Sequence, residues 1–399
     1  MLSLKQVVFL FVACLTFCDA RAAAQQLWVV DDDAGPGVDF ADLQPAIDAA
    51  ASGDTLLIRD GDYGSFNMVG KGLSLVADGA DVRCGSGFIN LVLLDPFVLR
   101  GLQFSGSLSV AQCVASGWIE DCAVKQARLT VRANDSLVIA SCQVQAGEGS
   151  PALRVENSID QEVYVYDSAL VGGSGQSTPF GGGPGAQLDG GRLILVGSSV
   201  DGGLGGSPSA SCPGPPPGPN GGPAGDGLVV NDGRAYLLDT QPLAGPTGPQ
   251  GPPPPQGCQP PPPPIPGADV DLNGSGALTA WSSPAASLAG PAVLREGALG
   301  TFTLQAQAPG ADVFLFVDTR QAHRFLPGLV GGLFLPLGTL VVLPQAPMPG
   351  SGVVDFAFQA PSLPVGSQGL RLHVQAGLGT PGGDVLSAPT TVLVVDSSL

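Results

Sequence analysis

Histidine is nearly missing from this chain: there are two, His323 and His373, both in the last fifth of the sequence. Everything before them lacks the side chain whose charge changes most readily near neutral pH. Histidine-based acid–base chemistry and histidine metal ligation are therefore excluded there. Basic residues are sparse as well. Sixteen Lys plus Arg stand against 34 Asp plus Glu, a formal net charge of −18, without a basic cluster. That balance argues against nucleic acid and against anionic membrane surfaces as partners. No apolar run of 18 or more residues occurs, so no transmembrane segment is expected. Aromatic residues make up only 6%, with three Trp and four Tyr, so any alignment among them carries information. No phosphate-binding glycine loop, zinc spacing or nucleophile–base pair stands out.

Glycine and proline, by contrast, are abundant, at 59 and 38 residues, and cluster in the middle of the chain. At the start, Lys5 precedes the apolar run Val7–Phe17, and Ala22-Ala23-Ala24 offers small residues before Gln25. This reads as a secretory signal peptide over residues 1–24, and places the protein outside the cell or at the cell envelope. A lipidated Cys14 fits less well, because Phe11 suits that site poorly. Cys14 and Cys18 would leave with the signal. Six cysteines remain, Cys84, Cys113, Cys122, Cys142, Cys212 and Cys258, an even number that permits disulfides in an exported chain.

Short repeats organise the next two hundred residues. The stretches "WIEDCAV" (118–124), "VIASCQV" (138–144), "YVYDSAL" (164–170), "ILVGSSV" (194–200) and "YLLDTQPL" (236–243) align, with "VLRGLQF" (98–104) as a looser copy. Their register positions, Leu102, Cys122, Cys142, Ser168, Ser198 and Thr240, are 20, 20, 26, 30 and 42 residues apart. A second series lies between them: "LSVAQC" (108–113), "LTVRAN" (129–134), "LRVEN" (153–157), "AQLDGG" (186–191) and "LVVNDG" (228–233). These alternate apolar and polar residues and close on Asn, Asp or Gly, of which Asn and Gly tolerate left-handed backbone angles. Two short strands per unit, with insertions that leave the pattern intact, favour a β-solenoid over a sandwich of irregular hairpins.

Upstream, "DFADLQPAIDAAASGDTLLIRDGDY" (39–63) supplies a beginning for such a stack. Leu43, Ile47 and Ala50/Ala51 recur at helical spacing, with Asp39 as the expected N-cap, so one apolar face can cover the first coil's open edge. The places filled by Phe40, Leu43, Ala46, Ile47, Ala50, Gly53-Asp54-Thr55-Leu56, Ile58, Gly61 and Tyr63 resemble the cap and first coil of secreted right-handed parallel β-helix proteins, the pectin-lyase-like superfamily. The resemblance covers roughly residues 28–245. It implies an all-β fold class: a right-handed parallel β-helix with an N-terminal capping helix over 25–267. Enzymes of that superfamily include Ca²⁺-dependent lyases with an Arg or Lys base, and hydrolases with clustered aspartates and a His-Gly pair. The hydrolase pattern is missing here, and Asp31-Asp32-Asp33 matches the family's acidic lead-in.

Three insertions, 172–185, 201–227 and 245–267, are Gly/Pro-rich and read as loops and linker without side chains to pack. Cys212 and Cys258 lie within them and could pair. From 268 to 399 longer alternating strands between Pro/Gly turns read as a small β-sandwich.

Candidate sites follow from alternation along the strands. Trp118, Tyr164 and Tyr236 point outward in one column, while Ile119, Ile139, Val165, Leu195 and Leu237 point inward. The aromatic strip could stack on the flat faces of sugar rings, or it is covered by a loop or the C-terminal domain. Arg132, Glu156, Asp189 and Asn231, with Arg154 beside them, form an outward charged column. That column is either a ladder of opposite charges or the Arg-based cluster of a polysaccharide lyase. Cys122 and Cys142 share a register position, close enough for a disulfide or for two buried thiols. Asp269, Asp271 and Asn273 match the first half of a Ca²⁺ loop, but Ala280 stands where a bidentate Glu belongs. Ca²⁺ is the one cofactor candidate. A polysaccharide or cell-surface glycan is the expected partner class, and oligomeric state is left open.

Overall fold

The computed structural model describes residues 25–33, 35–157, 161–175, 181–206, 222–249, 265–323, 329–364, 367–380 and 383–399. The signal peptide read over 1–24, Cys212 and Cys258 lie outside them. Among the described residues the chain is almost entirely β, with one helix, two long parallel sheets of 16 and eight strands, and two further sheets of three and six strands. Each strand of the long sheets pairs in parallel with the strand at the same place one coil later, as Leu129↔Leu153 and Val124↔Val144 do. This topology is compatible with a β-solenoid.

From Phe97 onward each complete coil has three strands, one more than its sequence suggests. In one coil these are Gly117–Glu120, Ala123–Lys125 and Leu129–Arg132; in the next, Ser136–Ala140, Gln143–Gln145 and Leu153–Glu156. The run read as one strand bends at a left-handed residue: Gly101, Asp121, Ser141, Asp167, Gly197 and Asp239 have φ of 76°, 52°, 53°, 46°, 58° and 47°. A non-glycine residue in this region is strained by roughly 1 kcal/mol or more. The register position that follows offsets the strain. Cys142 N, Ser168 N and Ser198 N donate to Ser168 Oγ, Ser198 Oγ and Thr240 Oγ1 of the next coil (3.0, 3.2 and 3.1 Å). A hydroxyl there satisfies a backbone donor that the corner takes out of the sheet ladder. At another corner the left-handed residues are Leu91, Gln112, Ala133 and Asp232. Asn134 and Asn157 act there through their side chains, accepting from Cys113 N and Asn134 N (3.0 and 3.2 Å).

The helix, Leu43–Ala49, buries Leu43, Ala46 and Ile47 over the first coil. Its N-cap is Asp42; Asp39 instead accepts from Val29 N at 2.8 Å, which corrects the expected cap. Lys71 Nζ binds Ile47 O and Ala50 O (2.7 and 2.8 Å), satisfying carbonyls the helix end leaves free. Gly53 turns the chain at φ 93°. Asp54 then accepts from Gln26 N, Ala51 N and Trp28 Nε1 (2.9, 2.9 and 3.2 Å), so the Gly-Asp turn is a structural knot.

The stems of the insertions are packed structure. Outgoing segments stack in parallel: Gly172 and Gly175 donate to Asp201 O and Leu204 O, and Gly202 and Gly205 to Leu243 O and Pro246 O (2.8–3.0 Å). Returning segments do the same, Gly182 and Gly185 to Pro223 O and Asp226 O, and Ala224 and Gly227 to Ile265 O and Ala268 O (2.9–3.1 Å). The three-residue spacing is that of a polyproline II turn. Gly183→Gly173, Gly203→Gly183, Gly225→Gly203 and Gly245→Gly225 bonds (2.7–2.9 Å) join the two layers. A Cβ on Gly173 or Gly203 would lie 1.6 or 2.1 Å from a facing carbonyl oxygen, so only glycine fits.

The coil stack also runs further than 267. Val270–Asn273 and Ala277–Trp281 pair in parallel with Leu228–Asn231 and Arg234–Leu238, so the C-terminal domain starts after Trp281, not at 268. Beyond it, Ala286–Ala289, Leu299–Ala306 and Val353–Gln359 form the three-stranded sheet. The six-stranded sheet is led by Asp312–Asp318, Gly369–Thr380 and Gly383–Val395. Phe302, Leu304 and Phe356 of one share a core with Val313, Val374 and Val392 of the other, compatible with a sandwich.

Candidate functional site

The outward column of aromatic residues is where the two parts of the chain meet. The inward set Ile119, Ile139, Val165, Leu195 and Leu237 lies in the coil core, while Trp118, Tyr164 and Ile194 share a second core with the C-terminal sheets. Trp118 and Tyr164 are 1% and 2% exposed. Phe334 meets both rings edge-on, at centroid distances of 6.2 and 5.1 Å, and His373 meets Trp118 at 4.8 Å. Tyr236 stacks on Trp281 at 5.3 Å. At Trp118 and Tyr164 the strip therefore points away from the coils and is covered by the C-terminal sheets, whereas Tyr236 is half-buried. Of the two expectations for the strip, covering by the C-terminal domain is what Trp118 and Tyr164 meet.

Polar groups fasten the junction. Glu120 accepts from Thr391 N at 2.9 Å and from the Thr390 hydroxyl, and Arg100 Nη2 lies 3.5 Å from it. Arg100 also donates to Gly290 O at 2.7 Å. Burial pushes the Glu120 carboxyl up to about 7 against the opposing pull of Arg100. Nearby, Tyr164 donates to Glu162 Oε2 at 2.7 Å, Arg192 pairs with Glu162 Oε1 at 2.7 Å, and His323 Nε2 lies 3.1 Å from the Tyr164 hydroxyl. Burial holds both histidines below the ordinary imidazole range, most strongly His373. A Tyr–His–Glu–Arg group has the residue types of an acid–base site. Tyr164 and Glu162 are buried and Arg192 and His323 partly so, and the group ties His323 of the C-terminal part to the coils.

The charged column exists as read, because register puts Arg132 beside Glu156 and Asp189 beside Asn231. Arg132 Nε bonds Glu156 Oε2 at 2.5 Å, and Arg154 Nε bridges Glu156 Oε1 (2.7 Å) and Asp189 Oδ2 (3.2 Å). Asn231 and Gln187 complete the shell of Asp189 at 2.8 and 3.0 Å. Partial burial works to raise the Asp189 carboxyl, but bonds from Asn231, Gln187 and Arg154 outweigh it and leave it below the ordinary range. Both arginines direct Nε to carboxylates, whereas an eliminating base must offer a lone pair to a substrate proton. Half-exposed pairs of this kind stabilise by only ~0.2–1 kcal/mol each.

The remaining candidates are structural. Cys122 and Cys142 are buried free thiols, as are Cys84 and Cys113. The Sγ atoms of Cys122 and Cys142 donate to Glu120 O and Ala140 O (3.3 and 3.2 Å), in line with the ladder of hydroxyls. Asp269 accepts from Ala244 N at 2.9 Å, and Val270–Asn273, with Asp271 and Asn273, is an extended strand. Asn273 Nδ2 donates to Asp271 Oδ2 at 2.8 Å. In Asp31-Asp32-Asp33, Asp31 pairs with Arg59 at 3.1 Å and Asp32 accepts from Asp62 N at 2.9 Å.

One feature escaped the sequence pattern. Where the second strands pass into the glycine bundle there is a half-open groove of about 530 Å³. Its polar lining includes Gln126, Gln145, Glu148 and Ser174, with Leu204 and Pro246 as apolar wall. It forms only because the insertions stack, and no local motif signals that.

Comparisons with protein-family models, with curated proteins and with solved structures each return no match.

Proposed function

We propose that this is an exported right-handed parallel β-helix protein of pectin-lyase-like type, with a C-terminal β-sandwich, and that it serves as a structural element outside the cell or at its envelope. The observation that carries this reading is the burial of Trp118 and Tyr164. The side chains best suited to stacking on sugars join the two domains instead. The charged column and the acidic lead-in are likewise bonded within the chain. The product is a stiff body with a clasped flank, suited to spacing or anchoring.

A second reading, glycan binding, is favoured by the groove beside the glycine bundle. Gln126, Gln145 and Ser174 offer amide and hydroxyl groups of the kind that bind sugar hydroxyls. A glycan array with the mature protein, followed by acidic glycans with added Ca²⁺ read for ultraviolet-absorbing unsaturated products, separates the possibilities. The structural reading expects neither binding nor product. Binding lost in Gln145→Ala but kept in Trp118→Ala supports the groove. Unsaturated products support a lyase and overturn the structural reading. Trp118→Ala is also expected to loosen the domain junction, at a cost of ~3–5 kcal/mol typical of truncating a buried aromatic.

A further inference from the structure

One corner of the last coil differs from the same corner in the coils before it. In five earlier coils the residue after the strand of the eight-stranded sheet is left-handed: Leu91, Gln112, Ala133, Gly190 and Asp232, with φ between 48° and 93°. Its N–H donates to a carbonyl one coil on, Leu91 to Ala111 O, Gln112 to Arg132 O, Ala133 to Glu156 O, Gly190 to Asn231 O and Asp232 to Asn273 O (2.9–3.3 Å). Gly274 fills that place after Val270–Asn273, at φ 59°. Val270–Asn273 terminates its sheet, and among the described residues the Gly274 N–H meets no acceptor. The residue before it is an exposed asparagine, Asn273, whose amide donates to the Asp271 carboxylate at 2.8 Å. In an Asn-Gly pair the glycine nitrogen is one five-membered ring away from the side-chain amide carbon, and no Cβ blocks its approach.

We propose that Asn273 is a modification site, at which the chain deamidates itself through a cyclic imide. Gly274 N gives up its proton and bonds to Asn273 Cγ; the Cγ–Nδ2 bond breaks, and ammonia leaves with that proton. Water then opens the ring, at Cγ to leave aspartate or at the Asn273 carbonyl carbon to leave isoaspartate. Water is the only co-reactant. The fold makes the reaction selective. Asn134 and Asn157 are buried, and the nitrogens after Asn90, Asn134 and Asn231 are bonded, Leu91, Asp135 and Asp232 donating to Ala111 O, Cys113 O and Asn273 O. Asn67 is followed by Met68, which is buried and far bulkier than glycine. Asn220-Gly221 shares the motif but lies outside the described residues. Asp189 already stands two coils back in the column of Asn231 and Asn273, so the aspartyl product fits the coil. The isoaspartyl product adds one backbone carbon to the edge strand, and both products place a new negative charge on the strand that carries Asp271.

The test is peptide mapping by mass spectrometry of the folded full-length protein, aged at neutral and at mildly alkaline pH beside a free peptide of residues 269–278. The expected result is conversion of Asn273 to aspartate and isoaspartate within roughly tenfold of the free peptide's rate, because no part of the fold has to open first. The rate should rise with pH, since a base must remove the Gly274 proton. Asn67, Asn90, Asn134, Asn157 and Asn231 should stay intact, and Asn273→Gln, whose ring would have six members, should keep its amide. An Asn273 that stays amidated while the free peptide converts overturns the proposal. So does faster loss at Asn67, Asn90 or Asn231, or a rate indifferent to pH. A glycan found on Asn273, whose Asn-Gly-Ser sequence also fits glycosylation, overturns it as well.

Discussion

Replacing Gly203 by alanine puts one methyl group into the middle of the glycine bundle. That methyl would lie 2.1 Å from Gly173 O, 2.6 Å from its carbonyl carbon and 2.8 Å from Gly172 O. All three are backbone atoms and cannot rotate aside. The neighbouring segment must retreat by on the order of 1 Å to restore van der Waals separation. The retreat strains the bonds Gly203 N→Gly183 O (2.8 Å) and Gly225 N→Gly203 O (2.9 Å). Overpacking costs ~1–3 kcal/mol, and leaving one buried backbone group unpaired adds ~1–3 kcal/mol. The expected total is about 2–6 kcal/mol. Hydrogen exchange over 172–175, 201–206 and 243–248 is the right assay, because the bundle can open without the coils unfolding. Protection there should fall by roughly 30-fold or more. A slack linker makes the opposite prediction: Gly→Ala then restricts only the unfolded chain and stabilises by ~0.4–1 kcal/mol. Gly338→Ala, which meets no atom within 4 Å, is the control and should follow that second course. Unchanged or increased protection in Gly203→Ala would refute the packed bundle.

Two further outcomes are expected. Glu120 has a raised folded-state pKa, so its contribution to stability is greatest at low pH and is lost as pH rises from about 4.5 through about 7. The depressed His323 and His373 have the opposite sign, since stability falls as pH drops below 6.5 and the unfolded imidazoles take up protons. Melting temperatures from pH 5 to 8 should therefore lose their neutral-side decline in Glu120→Gln and part of their acid-side decline in His373→Gln; parallel profiles would contradict the assignment. Thiol titration in denaturant without reductant should find at least four free cysteines, Cys84, Cys113, Cys122 and Cys142, unreactive while folded because they are buried, which raises the thiols of Cys84, Cys113 and Cys142. A count below four would mean that the ladder is oxidised.

The charged column was legible because both its members and their spacing follow from strand alternation, a local property. The second strand of each coil was not. It is three residues long or fewer, and the bend before it is made by Asp121, Ser141 and Asp167, whose identities do not announce a left-handed backbone. The domain boundary was misplaced for a similar reason. Val270–Asn273 lacks coils on both sides, so its sequence is more polar than the repeats it continues.

The sequence by itself determined the coil period, the inward set from Ile119 to Leu237, and the helix that closes the first coil, because burial in a repeating structure imposes a repeating pattern. Tertiary structure alone decided what lies over the outward side. Alternation says that Trp118 and Tyr164 leave the coil core, but their covering, Phe334 and His373, comes from more than 150 residues away. It also decided that the glycine stretches are packed. Glycine has no side chain to show a buried face in a sequence, and its backbone reveals its neighbours only once the layers are stacked.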